Sequence, residues 1–275
     1  MTEILFPALA IGAVGLVLGM LLAVAAKAFH VEVDERIEQI SACLSGANCG
    51  GCGYAGCSAY AAAIVNDGAP INACAAGGQA AVDNIAAIMG VEATAMEPVR
   101  AVVRCDGVIT KANDRYDYYG IADCVSASKL QGGGRKACNF GCLGYGSCVT
   151  ACSEGGISIV DGVATIDGNS CIGCGACEKI CPKGIIELVP KRHHIYVKCS
   201  SCDKAPAMRQ KCSAGCIGCR LCEKACPAGA VTVNDNHASI DYSKCTGCGL
   251  CAEKCPKHII VNEAAPAAKE EAATA

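Results

Sequence analysis

The chain has 275 residues, a formal net charge of −3, 26 cysteines, three phenylalanines and no tryptophan. That charge gives no electrostatic case for a nucleic-acid partner, and an aromatic content of 4% excludes a large conventional apolar core. Metal ligation by cysteine, which can supply folding free energy directly, is the obvious substitute.

Ile4 to Ala26 runs without a charge and is long enough to cross a bilayer as a helix. Gly15 and Gly19, four apart, would let a second helix approach closely. Ala23-Val24-Ala25 resembles a signal cleavage site, but Glu3 and the lack of a basic residue at the amino terminus favour a retained anchor, 1–27. Lys27 places the following chain on the cytoplasmic side, in keeping with a reducing compartment for thiolates.

Val33, Ile37, Ile40 and Leu44 share one helical face. Cys49, Cys52, Cys57 and Cys74 then form C-x2-C-x4-C-x16-C, with Gly50, Gly51, Gly53 and Gly56 among them. Glycine lets the backbone wrap closely around a metal group. A helix over 58–66 and a second over 79–89 stopped by Gly90 complete a small 4Fe–4S domain, 28–92. The segment 93–137 reads as a connection, with a short strand at 99–104. Cys105 and Cys124 have no ligand-like neighbours there and read as buried or free thiols.

Cys138, Cys142, Cys148 and Cys152 form a loosened run, C-x3-C-x5-C-x3-C. A hairpin follows, with Asp161-Gly162 as its turn between 156–160 and 163–166. Cys171, Cys174, Cys177, Cys181 and Pro182 make C-x2-C-x2-C-x3-C-P, the ferredoxin run, in which the fourth cysteine serves the neighbouring cluster. The pattern returns at Cys216, Cys219, Cys222 and Cys226, then at Cys245, Cys248, Cys251 and Cys255, with a hairpin between. The crossing rule groups Cys138, Cys142, Cys148 with Cys181, and Cys171, Cys174, Cys177 with Cys152. It likewise groups Cys216, Cys219, Cys222 with Cys255, and Cys245, Cys248, Cys251 with Cys226.

The expected fold is therefore α+β: a transmembrane helix, a small helical 4Fe–4S domain, and two ferredoxin-like modules of two clusters each, 138–190 and 216–260. A linker spans 191–215 and a disordered Ala/Glu/Lys/Pro tail spans 261–275. Five 4Fe–4S clusters are expected, with a sixth possible through Cys199, Cys202 and Cys212. Cys43 has no assigned role. A disulfide scaffold has no reason to repeat C-x2-C-x2-C-x3-C-P, and structural zinc draws on separated cysteine pairs instead. With no dinucleotide fingerprint, P-loop or acid–base pair, the chain reads as an electron carrier without a catalytic site of its own.

The apolar anchor, the block Asn48 to Cys57 and the block Cys138 to Cys148 resemble the B subunit of Rnf complexes, bacterial ion-translocating ferredoxin:NAD oxidoreductases. The second module, 216–255, resembles the extended form of that protein. The resemblance implies a single-pass protein of the cytoplasmic membrane with its cluster domains in the cytoplasm. It also implies soluble ferredoxin as electron donor, other membrane and peripheral Rnf subunits as partners, and coupling to Na⁺ or H⁺ movement. The Cys49–Cys74 block also resembles a domain of corrinoid-protein and dehydrogenase subunits, so a reductive activator is the alternative.

Overall fold

A computed structural model describes residues 12, 15–24 and 34–263. The first helix, α1, is described over 15–24, with its apolar side chains exposed. Among the described residues no helix is long and apolar enough to cross a membrane. The fold class is accordingly corrected to a mixed α/β arrangement with ferredoxin-like domains; the expected transmembrane helix, and with it the single-pass placement in the cytoplasmic membrane, is not found among the described residues. Much of the 4–26 stretch, Lys27, Val33 and the tail from 264 lie outside the described residues.

Three helices form the amino-terminal domain: α2 (Glu35–Cys43), α3 (Cys57–Asp67) and α4 (Gly78–Met89). Asp34 caps α2 by accepting from the Arg36 N–H. Left-handed glycines, Gly68 at φ 66° and Gly90 at φ 67°, end α3 and α4. Ile40, Tyr60, Ile64 and Ile85 pack between them with Cys74. The buried Tyr60 hydroxyl donates to the Pro70 carbonyl and accepts from the Ala73 N–H, which fixes the loop carrying Cys74.

Two modules of one design follow. The first has β1 (Val99–Val103), α5 (Cys124–Ser128), α6 (Ser147–Thr150), β2 (Ile157–Val160), β3 (Val163–Ile166), α7 (Ala176–Ile180) and β4 (Ile186–Pro190). The second has β5 (Ile195–Val197), α8 (Ala205–Lys211), α9 (Leu221–Ala225), β6 (Val231–Asn234), β7 (His237–Ile240), α10 (Leu250–Glu253) and β8 (Ile260–Asn262). Both expected hairpins form, β2–β3 and β6–β7. Asp161 and Gly162, at φ 47° and 75°, and Asp235 and Asn236, at φ 47° and 63°, make their tight turns.

Each module is closed by a second antiparallel pair, β1 with β4 and β5 with β8. The segments read as connection and linker therefore supply the first strand of each module. Val102, Val189 and Tyr196 bury where the modules meet, and an ion pair of 2.6 Å joins Arg100 to Glu263 beside them. Cysteines make up a large minority of the two main module cores, beside a greater number of aliphatic side chains.

Candidate functional site

All 26 cysteines are free thiols, and among the described residues none of the His, Cys, Asp or Glu groups closes around a single metal ion. The sulfurs instead ring cavities wider than one ion needs.

In the amino-terminal domain Cys49, Cys52, Cys57 and Cys74 surround about 330 Å³. The Asn48 side chain accepts from the Cys57 N–H at 2.9 Å, and Gly77 N–H donates to the Cys74 sulfur at 3.3 Å. Next to it, Cys152, Cys171, Cys174 and Cys177 line about 390 Å³, the α7 cage. The Ala101 N–H donates to Cys171 sulfur at 3.4 Å, so β1 forms one wall. In the second module Cys216, Cys219, Cys222 and Cys255 line about 330 Å³, the α9 cage. Cys226, Cys245 and Cys248 gather around Cys251 as the α10 cage.

One grouping differs from expectation. Cys142, Cys148 and Cys181 share about 350 Å³, the α6 cage, with Cys124 and not with Cys138. Aligned on the second module, CLGYGSCVTAC (142–152) matches CIGCRLCEKAC (216–226), so Tyr145 stands where Cys219 does. Cys124 fills the gap: Ser147 Oγ accepts from the Cys124 N–H at 2.8 Å and donates to Asp123 at 2.6 Å. The loosened run is thus a regular run beginning at Cys142, one cysteine short. Cys138 lies elsewhere, with Cys105, Cys199 and Cys212. Cys202 is outside that group, its sulfur 3.7 Å from His237 Nδ1.

Burial, then neighbouring sulfurs, pushes the Cys177 thiol up to about 12 and those of Cys148, Cys222 and Cys251 up to about 11. Such thiols stay protonated at neutral pH and are poor nucleophiles. They fit a metal group that displaces their protons as it binds. Four soft donors around one cavity, with backbone N–H groups aimed at sulfur in several of the cages, suit a 4Fe–4S cube.

Cages of this kind on ferredoxin-like modules define the multi-cluster iron–sulfur electron carriers. Residues 44–76 match the family described as a putative Fe-S cluster, 164–187 a 4Fe-4S binding domain and 215–259 a 4Fe-4S dicluster domain. The chain is 44% identical over 245 residues to the B subunit of the Na(+)-translocating ferredoxin:NAD(+) oxidoreductase complex of Acetobacterium woodii, covering 89% of this chain and 73% of that one. It is 46% identical to the B subunit of the proton-translocating ferredoxin:NAD(+) oxidoreductase complex of Clostridium ljungdahlii, covering 84% and 81%. With the B subunit of the ion-translocating oxidoreductase complex of Methanosarcina acetivorans it shares 41% identity, covering 89% and 93%. The chain belongs to this family, the B subunits of the ion-translocating, or Rnf, oxidoreductase complexes, and is an iron–sulfur electron-transfer protein of such a complex.

Proposed function

We propose that the chain takes electrons from reduced ferredoxin and relays them to the other subunits of an ion-translocating ferredoxin:NAD oxidoreductase. The observation that carries this reading is the side-by-side placement of the cages. Cys174 of the α7 cage also lines the amino-terminal cavity, and Cys148 of the α6 cage lies close enough to Cys177 to raise its thiol further.

The proposed ligand sets are Cys49, Cys52, Cys57, Cys74; Cys152, Cys171, Cys174, Cys177; Cys124, Cys142, Cys148, Cys181; Cys216, Cys219, Cys222, Cys255; and Cys226, Cys245, Cys248, Cys251. Bound clusters supply one-electron storage. The chain's own part is to bury the sulfurs, aim N–H groups at them and hold successive cages in contact. Of the 26 cysteines only Cys219 and Cys248 are exposed, and both belong to the second module. We assign electron entry from ferredoxin to that end.

The test is anaerobic purification of the full chain followed by titration with reduced ferredoxin. Reduction of its iron–sulfur absorbance and paramagnetic signals is expected, together with loss of ferredoxin-dependent NAD reduction when the chain is removed from the complex. A colourless, iron-free preparation sinks the reading.

A further inference from the structure

Cys105, Cys138, Cys199 and Cys212 line a cavity of about 350 Å³ between the two modules, the same size as the cages already described. A Cβ built on Gly107 would lie 3.4 Å from Cys105 sulfur and 3.7 Å from Cys212 sulfur. One built on Gly141 would lie 3.7 Å from Cys138 sulfur and 3.8 Å from Cys105 sulfur. The sulfurs thus converge although the residues span more than a hundred positions of sequence.

The cavity is built twice over by equivalent parts. Cys105 follows β1 and Cys199 follows β5, each after one basic residue, Arg104 or Lys198. The N–H of that basic residue donates to Ile185 at 2.7 Å in one module and to Ile259 at 2.6 Å in the other. Cys138 precedes Cys142 as Cys212 precedes Cys216, in both cases C-x3-C. Cys142 N–H donates to Cys105 sulfur, and Cys216 N–H to Cys199 sulfur, both at 3.3 Å. The lysine after the last C-P pair of each module ties down the residue after Cys138 or Cys212: Lys183 to the Asn139 carbonyl and Lys257 to the Ser213 carbonyl, both at 2.7 Å. Each module therefore presents the same two cysteines to a shared cavity.

The segment 111–115 fastens the two halves together. Asn113 N–H donates to Lys211 at 2.9 Å, Ser213 N–H to Lys111 at 2.8 Å, and Ala137 N–H to Asn113 at 2.7 Å. One buried cation beside the cavity, Lys136, makes no ion pair among the described residues. Lys136 is 2% exposed, yet its ammonium donates only to the carbonyls of Gly107 and Gly162. Arg104, which also lines the cavity, pairs through Nε with Glu187 at 3.4 Å, while its buried Nη2 has no hydrogen-bond partner. Buried cations need a counter-charge, and four thiolates around an iron–sulfur core supply a net negative one.

We propose that Cys105, Cys138, Cys199 and Cys212, two from each module, hold a sixth 4Fe–4S cluster that bridges the α6 cage to the α9 cage. The proposal deepens the reading of the chain as a relay and rests on it. Ligation replaces four S–H bonds with four S–Fe bonds and releases four protons, with iron and inorganic sulfide as co-reactants. The site would add a centre between the α6 and α9 cages, to which Cys105 and Cys199 are tied by the Cys142 and Cys216 N–H groups.

The test is iron, sulfide and zinc content with electron paramagnetic resonance on the anaerobic full chain, wild type beside Cys138→Ala, Cys212→Ala and the double variant. The wild type should hold about 24 irons, four per cage. Each single variant should lose about four, and the double variant no more than either alone, because both residues serve one cluster. Cys202→Ala, outside the cage, should lose none. A wild type with about 20 irons, or with about 20 irons and one zinc, overturns the sixth site while leaving the relay intact; so does full iron in Cys212→Ala. A wild type without iron overturns both. A variant that fails to fold leaves the wild-type count to decide.

Discussion

Gly51 is pressed against Cys174 so closely that a side chain on it would overlap the Cys174 carbonyl oxygen. Lys179, in the α7 helix that follows, donates to the carbonyls of Gly50 at 3.3 Å and Gly51 at 3.1 Å. The amino-terminal cage and the α7 cage are thus in backbone contact, and bulk at 51 should separate them.

Gly51→Ala is expected to keep its iron but loosen this junction, an overpacking penalty of about 1–3 kcal/mol. Hydrogen exchange should quicken over 49–57 and 174–179, and electron exchange between the two centres should slow. Unchanged exchange in both segments would show that the contact is not tight.

Tyr145 offers a sharper test of the regrouped ligands. Cys124→Ala should lose about four irons, since it supplies the sulfur that the run from Cys142 lacks. Adding Tyr145→Cys should restore them, because the change rebuilds C-x2-C-x2-C-x3-C in place. Iron analysis with paramagnetic resonance reads both steps; failure of the second variant to recover any iron would count against the alignment of 142–152 on 216–226.

That regrouping marks the boundary of what the sequence could tell. The runs at 171–181, 216–226 and 245–255 are legible because three ligands lie within one turn and carry a fixed spacing. The β2–β3 hairpin is legible because Asp161-Gly162 is a turn signal. Cys124 is not, since it reaches its cage through the bonds of Ser147 and Asp123 rather than through local spacing. The frame was hidden for a related reason: Cys138 sits near enough to Cys142 to imitate the start of a run. The pairings of β1 with β4 and β5 with β8 join strands far apart in the chain, and periodicity has no access to partners at that range. The repeat of C-x3-C before both module runs, at 138 and 212, was a signal available to sequence reading.

Removal of iron should unfold the modules rather than leave empty cages. Metal ligation can supply folding free energy directly, and small metal-bound domains are often unfolded without their metal. The cage cysteines are themselves part of the two main module cores, so losing the group that joins them removes a tie across each core. Chelation under oxidising conditions should therefore abolish protease resistance across 99–262 together with the near-ultraviolet signal. Retention of native-like protection after complete iron loss would mean that aliphatic packing alone holds the fold.

Lys136 connects structure to redox tuning. It is buried, bonded to two carbonyls, and near enough to Cys142 to pull that thiol downward against the larger upward effect of burial. A fixed positive charge favours the reduced, more negative form of a neighbouring centre. Lys136→Gln keeps a donor for the carbonyls and removes the charge, so the midpoint potential of the α6 centre should fall. At several ångströms and an effective dielectric near 20, one unit charge is worth about 2 kcal/mol, on the order of 100 mV for a one-electron couple. Potentiometric titration followed by paramagnetic resonance measures the shift directly. An unchanged potential in a variant with full iron would place the ammonium too far from any centre to matter, and a rise would reverse the sign of the electrostatic argument.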